Sequence, residues 1–235
     1  MSLEGAGGSE RRLTSAYLVV ANVALLGGVL TGFLQGLEHA GFEFPTGEYF
    51  LRSYYHSVSM HGVLNVLVWT TFFICGFLPF ISAQAYGMPL VSPRVGWITF
   101  WVMMLGLTTA AVPLAGNAAT VMFTFYAPLK AHWAFYVGLT LVVVGTWLIT
   151  WRLAMSQRNW RTQHPGQRTP LPAFMALVTM AMWTLASVGL AASMLFLLIP
   201  WSLGLVGGTD PLLARTLFWL TGHPIVYFWL LPAYL

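Results

Sequence analysis

Hydrophobic residues occur along the chain in long runs that are separated by short polar stretches. Six of these runs reach the length of about 20 residues that an α-helix needs to cross the hydrocarbon core of a bilayer. Polar and apolar positions do not alternate within the runs, so helices with internally paired backbone groups are favoured over a barrel. The pattern predicts an all-α, polytopic transmembrane helix bundle of six spans, near residues 16–37, 58–81, 95–116, 132–151, 173–205 and 212–235.

Two of the predicted spans depart from a simple straight helix. The fifth run holds 33 residues, which is too many for one upright span, so we expect a tilt, a kink or a protruding end. In the sixth run, Pro224 has no backbone N–H to donate to the carbonyl of Leu220, which predicts a bend. The residues after Leu230 include no polar loop or positive flank that would close this span. We therefore expect the last span to be truncated and the chain to be part of a longer polypeptide.

Composition narrows the class of protein further. Hydrophobic residues make up 58% of the 235 residues and charged residues 7%, whereas a soluble domain carries about 25% charged residues. So few charges cannot cover a soluble globule, and the high hydrophobicity excludes an intrinsically disordered chain. Cys75 is the only cysteine, which excludes a disulfide framework within the chain. The ten Lys and Arg residues form no basic stripe for nucleic acid, so the lipid bilayer is the predicted surrounding.

The distribution of Lys and Arg predicts the orientation of the chain in the membrane, because cytoplasmic loops carry an excess of these residues. Three cations, Arg52, Lys130 and Arg215, fall on one side of the predicted spans, and seven fall on the side of the amino terminus. The seven are Arg11, Arg12, Arg94, Arg152, Arg158, Arg161 and Arg168. This bias predicts a cytoplasmic amino terminus.

Depth in the membrane separates the six histidines into two groups. Four are predicted in loops or at a helix end, where a solvated or interfacial imidazole is the simplest interpretation. These four are His39, His56, His132 and His164. His61 and His223 remain, and each lies within a predicted span, where an ionisable side chain is costly unless it is paired or ligated.

The span that contains His61 leaves two interpretations open. A neutral imidazole that points into a helix bundle is a natural axial ligand for haem iron, and Gly62 would let a flat macrocycle approach the backbone. The same imidazole could instead form a hydrogen bond to a neighbouring helix. The pattern of this span does not decide between the two.

His223 is accompanied by phenols at helical spacing. Tyr227 follows four residues later, which places the two Cβ atoms about 6 Å apart on one helix face, so a metal-binding imidazole and a phenol can touch. Tyr234 lies seven residues further on and nearly on the same face, so the two phenols could relay protons. The alternative for such a tyrosine stripe is helix packing with hydroxyls that reach toward the membrane surface.

Longer motifs resemble a known family. The segment Thr216–Pro232, with its His-Pro-Ile-Val-Tyr sequence, resembles the sixth-helix signature of subunit I of the haem-copper respiratory oxidases. Pro113–Tyr136 and Tyr54–Trp69 resemble the B-type branch in particular. The resemblance implies that residues 1–235 are the amino-terminal half of a B-type cytochrome c oxidase subunit I in a prokaryotic plasma membrane. That enzyme reduces dioxygen to water with electrons from cytochrome c and pumps protons.

The resemblance also implies roles for single residues. His61 would be one of two axial ligands of a low-spin haem of b type, and His223 one of three histidines on the copper beside a high-spin haem. Tyr227 would be joined covalently to His223 and supply an electron and a proton. Tyr234 would lie in the proton path and Trp219 in the dioxygen channel. His56, about 140° around the helix from His61, cannot face the same haem, and the resemblance selects His61.

One histidine per metal cannot complete a site that takes three or four ligands, so this chain alone is expected to be inactive. The resemblance implies a partner, a copper-bearing subunit II, because Cys75 alone cannot supply the thiolates of a dinuclear copper centre. Two other functions remain as alternatives. A nitric oxide reductase of the same superfamily would lack the His223 and Tyr227 pair. A non-catalytic transporter or two-haem electron carrier would show inverted repeats or a second histidine pair, and the sequence has neither.

Overall fold

The computed structural model describes residues 3–42 and 53–235, with side chains from residue 8 onward. Five of its helices are long and apolar enough to cross a membrane, and no strand occurs in the described part of the chain. These are α1 (Leu3–His39), α2 (Tyr54–Tyr86), α3 (Pro93–Ala115), α4 (Trp133–Gln163) and α5 (Leu171–Ser202). They confirm an all-α, multi-pass membrane helix bundle.

The sixth apolar run does not form one continuous helix. It consists of α6 (Pro211–Gly222), α7 (Pro224–Leu230) and a final 3₁₀ turn over Leu231–Tyr234. The break falls at His223, where the prediction placed a bend, because Pro224 has no N–H to continue the hydrogen-bond ladder. The carbonyl of His223 instead accepts from the backbone N–H of Val226 at 3.1 Å.

Several helices extend well beyond the apolar runs that marked them. The helix α1 begins at Leu3 rather than at residue 16, and α4 continues to Gln163 rather than ending at residue 151. Hydropathy detects the length that is buried in lipid, whereas backbone hydrogen bonds continue the helix into the polar flanks. The prediction placed Arg152, Arg158 and Arg161 beyond the end of the fourth span at residue 151, and this is wrong for the helix, because all three lie inside α4. Arg52 lies outside the described residues.

Two of the long helices contain a π-helical segment. In α2 it covers Val63–Trp69, directly after His61, and in α5 it covers Ser193–Leu198. A π turn accommodates one more residue than an α turn and occurs often at functional sites. The fifth run forms one long helix, and α5 ends at Ser202, where Leu203 N–H bonds the carbonyl of Ile199 at 2.9 Å.

Small residues bring neighbouring helices close together. The helices α3 and α4 pack closely, since a Cβ on Gly106 would stand 2.6 Å from the carbonyl oxygen of Gly138. The helix α1 approaches α2 in the same way, since a Cβ on Gly76 would stand 2.7 Å from Cβ of Tyr17. Close backbone approach through glycine is the usual means of packing helices in lipid, where no hydrophobic force drives association.

Candidate functional site

The imidazole of His61 is oriented by the first helix. Its Nδ1 lies 2.7 Å from the carbonyl oxygen of Gly28 in α1. Because a carbonyl only accepts hydrogen bonds, Nδ1 carries the hydrogen and Nε2 keeps its lone pair. A metal-ligating histidine is held in the same manner, with its second nitrogen donating to a carbonyl. The donor chemistry at His61 therefore fits an axial position of a haem.

Glycines of α1 make room for this imidazole. A Cβ on Gly32 would stand 2.5 Å from Nδ1 of His61, which is closer than real Cβ atoms approach. Gly28 lies one turn earlier and faces the carboxamide of Asn65. Sequence reasoning missed both glycines, although the four-residue spacing of Gly28, Gly32 and Gly36 was a readable sign of close helix approach.

Asn65 is a second polar residue near His61 that sequence reasoning missed. It follows His61 by four residues, and its Nδ2 lies 3.3 Å from Nδ1 of the imidazole. The Oδ1 atom of the same carboxamide is buried and has no hydrogen-bond partner among the described residues. A spacing of four on a helix was the signal that could have found it.

The space beside Gly62 is filled by protein. A Cβ on Gly62 would stand 2.9 Å from Cβ of Phe123, and Gly62 is buried. The prediction that this glycine lets a macrocycle approach the backbone is therefore wrong. Gly62 instead admits the loop between α3 and α4, whose Met122 N–H donates to Oγ of Ser59 at 2.9 Å.

His223 and Tyr227 lie next to each other. Their ring centroids are 5.0 Å apart and the ring planes meet at 59°. Both side chains lie on a flank of the helix that the described residues leave uncovered, and Tyr227 is 45% exposed. The pair therefore presents an imidazole and a phenol together to whatever packs on this flank.

The opposite flank of α6 and α7 is fixed to α5. The hydroxyl of Thr221 donates to the carbonyl of Ala186 at 2.7 Å, and this bond is buried. One turn beyond the break, the rings of Phe228 and Trp183 stack with centroids 4.5 Å apart at 15°. These two contacts with α5 lie on either side of His223 and hold its backbone so that the imidazole is on the opposite, uncovered flank.

Two further predicted site residues lie on the exposed side of the same segment. Tyr234 is 67% exposed and belongs to the final 3₁₀ turn. This 3₁₀ turn separates Tyr234 from Tyr227, which lies in α7, so regular α-helical spacing does not hold between the two phenols. Trp219 is 45% exposed and packs edge to face on Phe218, with ring centroids 5.5 Å apart.

The prediction that His56 is a solvated loop residue is wrong. His56 lies in the first turn of α2, is 2% exposed, and its Nε2 bonds the carbonyl of Leu114 at 2.7 Å. His39, predicted in a loop, is instead the exposed last residue of α1. His132 directly precedes α4, and His164 directly follows α4 and stacks on Trp160.

An apolar cavity of about 50 Å³ lies inside the bundle. It extends from Val63 and Leu64, which follow His61, to Ile225, which follows His223 by two residues. Aliphatic and aromatic side chains form almost all of its wall, and cavities of this kind stay dry and admit apolar molecules. Within residues 8–42 and 53–235, no three His, Cys, Asp or Glu side chains lie close enough together to hold a metal ion.

The fold and the side chains together place the chain among multi-pass membrane proteins whose helices carry candidate metal-ligating imidazoles. The sequence profile of the family described as Cytochrome C and Quinol oxidase polypeptide I matches residues 12–235. The chain belongs to this family, that of subunit I of the cytochrome c and quinol oxidases.

Relatives of this chain are found in bacteria and archaea. Cytochrome c oxidase subunit 1 of Thermus thermophilus is 45% identical over 231 residues, which are 96% of this chain and 41% of that protein. Heme-copper oxidase subunit I+III of Aeropyrum pernix is 27% identical over 92% of this chain and 28% of its own length. A cryo-EM structure of a heme-copper terminal oxidase dimer is 40% identical, with a TM-score of 0.89 over 97% of this chain and 39% of that chain. The chain thus spans less than half the length of each of these relatives.

Proposed function

We propose that residues 1–235 form the amino-terminal half of the catalytic subunit of a terminal respiratory oxidase, which reduces dioxygen to water with electrons from cytochrome c and pumps protons. The observation that carries this proposal is the adjacent pair of His223 and Tyr227, with ring centroids 5.0 Å apart. The relative from Thermus thermophilus, named as a cytochrome c oxidase subunit, supports cytochrome c rather than quinol as the electron donor.

In this proposal each imidazole contributes one ligand. His61 supplies Nε2 to a low-spin haem of b type, and the bond from its Nδ1 to Gly28 keeps the ring in the tautomer that can ligate. His223 supplies one nitrogen to the copper beside a high-spin haem. When bound, these groups carry electrons to dioxygen. The remaining ligands come from parts of the protein outside this chain.

The phenols handle protons. Tyr227 holds a hydroxyl proton beside the imidazole of His223 and delivers this proton where the dioxygen bond is cleaved. As the resemblance to the family implies, Tyr227 is joined covalently to the imidazole of His223. Tyr234 takes up protons nearer the end of the segment and passes them toward Tyr227. Tyr234 follows Tyr227 by seven residues, about 10 Å along a helix, so a further group such as a water molecule links the two hydroxyls.

Dioxygen is apolar, and two features of the chain are suited to admit it. Trp219 contributes an exposed ring on the flank that carries His223, as part of the dioxygen channel. The apolar cavity that ends at Ile225 offers dioxygen a dry volume near the same segment.

The proposal also includes surroundings and partners. The oxidase lies in a prokaryotic plasma membrane with a cytoplasmic amino terminus, and a copper-bearing subunit II on the outer face receives electrons from cytochrome c. Arg11, Arg12, Arg158 and Arg161 support this orientation, since all four lie on one side of the helices. Reporter fusions at Gly166 and Gly208 test it, because only the second fusion should be exported.

Turnover of the assembled oxidase with Tyr227→Phe tests the function itself. Loss of the phenolic proton is expected to lower the rate of oxygen reduction by about 10²-fold or more, in the range of general acid catalysis. Tyr55→Phe is the matched control, because that phenol is exposed at the start of α2 and its removal should leave turnover unchanged. Unimpaired four-electron oxygen reduction in Tyr227→Phe would remove the tyrosine from the mechanism.

A further inference from the structure

Two groups approach the same nitrogen of His61, and they make opposite demands on it. The carbonyl of Gly28, at 2.7 Å from Nδ1, requires a hydrogen on that nitrogen. The Nδ2 group of Asn65, at 3.3 Å, is itself a donor and would require a lone pair there. The shorter contact decides the matter in favour of a hydrogen on Nδ1, which leaves two N–H donors facing each other.

Rotation of the Asn65 carboxamide by 180° removes this conflict. The oxygen and nitrogen of an amide occupy nearly the same volume, so their assignment follows from the hydrogen-bond network. In the rotated form, Oδ1 faces the N–H of His61 and gains a partner. In the unrotated form the carboxamide makes no hydrogen bond among the described residues, because Oδ1 has no partner and Nδ2 faces another N–H group. In the rotated form it makes one, and Nδ2 takes the position without an acceptor. The network therefore favours the rotated form.

We propose that Asn65 is a positioning residue for the haem ligand, whose carboxamide oxygen accepts from Nδ1–H of His61 alongside the carbonyl of Gly28. The inference rests on the proposed function, in which Nε2 of His61 binds the low-spin haem. The imidazole N–H is then shared between two acceptors, one from α1 and one from its own helix. Three-centre bonds of this kind are common around helices.

Two acceptors on Nδ1–H have an electronic consequence as well as a geometric one. They draw the proton away from the ring and make Nε2 a stronger electron donor. A stronger axial donor stabilises the oxidised iron, so the reduction potential of the haem falls. Asn65 thereby contributes to how readily the haem passes its electron onward, and it holds the ring plane in one orientation.

The position of Asn65 depends on the absence of a side chain at Gly28. A Cβ on Gly28 would overlap the carboxamide of Asn65, with its carbon only 2.5 Å away. Gly28 therefore allows both acceptors to reach Nδ1–H of His61. Its own carbonyl is one acceptor, and its lack of a side chain leaves room for the carboxamide of Asn65, the other acceptor. The arrangement explains why a polar side chain is placed inside an apolar span at this one turn.

The test measures the reduction potential of the low-spin haem by spectroelectrochemical titration of the assembled oxidase. Asn65→Leu removes the acceptor and keeps the approximate volume, so the reduction potential of the haem is expected to rise. The expected rise is about 59 mV, which for one electron is a tenfold change in the redox equilibrium constant. Asn65→Asp keeps an oxygen at the same place, so its potential is expected at or below that of the unaltered enzyme. Asn65→Met is the second apolar variant, with the same expected rise, should the leucine variant fail to assemble.

Matched variants separate the possible outcomes. Asn22→Leu removes an exposed amide of α1 that bonds only its own helix, at 2.8 Å from the carbonyl of Leu18, and should leave the potential unchanged. An unchanged potential in the apolar variants at Asn65, or a rise in Asn65→Asp equal to theirs, overturns the inference alone. A low-spin haem that persists in His61→Ala overturns the proposed haem ligand, and with it the inference.

Discussion

The guanidinium of Arg152 in α4 forms a buried ion pair with the carboxylate of Glu10 in α1. The two side chains are 3% and 4% exposed, and a second contact joins Nη1 of Arg152 to Oε2 of Glu10 at 3.3 Å. Nε of Arg152 also donates to the carbonyl of Val91 at 3.0 Å. One side chain thus connects the first helix, the fourth helix and the segment that leads into the third.

Removal of one partner of this pair should destabilise the bundle strongly. Arg152→Met leaves the Glu10 carboxylate buried without compensation, which typically costs about 3–5 kcal/mol. A clearly lower Tm of the purified oxidase is the expected result in a thermal unfolding experiment. Arg158→Met, which removes an exposed cation of the same helix, should leave the Tm nearly unchanged.

The double variant Glu10→Leu with Arg152→Met distinguishes the ion pair from simple packing. It leaves no unpaired buried charge, so its loss of Tm should be smaller than the sum of the two single losses. Additive losses would contradict the idea that the two charges stabilise each other.

Substitution of Gly32 should affect the imidazole of His61 directly. A Cβ in Gly32→Ala would stand 2.5 Å from Nδ1, so the ring must move away from its bond to Gly28. The expected result is loss of most low-spin haem absorbance from the visible spectrum of the assembled oxidase. Gly36→Ala is the control one turn later in α1, because a Cβ there meets nothing within 4 Å. Equal haem content in both variants would speak against close contact as the cause.

Substitution of Gly189 should affect the second candidate site and spare the first. A Cβ there would stand 2.7 Å from the carbonyl oxygen of Leu217 in α6, and backbone can yield only if the helix shifts. Such a shift displaces His223, so Gly189→Ala is expected to lower the copper content measured by elemental analysis. The signal of the low-spin haem should persist. Gly208→Ala serves as control, since a Cβ there meets nothing within 4 Å.

The sequence was sufficient where the governing physics is local. Long apolar runs predicted the spans, and the missing N–H of Pro224 predicted the break beside His223. The spacing of His61 and Asn65 was also readable, although its meaning depends on Gly28, which lies on another helix.

Contacts between distant residues were not predictable from the chain. Glu10 and Arg152 lie 142 positions apart, and the predicted fourth span ended at residue 151, one position before the arginine. His56 and Leu114 lie 58 positions apart, and only the folded bundle brings that imidazole to the carbonyl of Leu114. Such pairings depend on how helices dock, which a single sequence does not encode in any local pattern.

The π turn at Val63–Trp69 separates two parts of α2 that both contact α1. An added residue in a helix rotates everything on one side of it by about 100° relative to the other side. After the turn, the ring of Phe72 lies 5.9 Å from the ring of Tyr17 in α1, measured between centroids. Before the turn, Nδ1 of His61 bonds the carbonyl of Gly28, which is also in α1. A gain or loss of one residue in this turn would therefore rotate the imidazole of His61 relative to the ring of Phe72, so the two contacts with α1 would not both be kept.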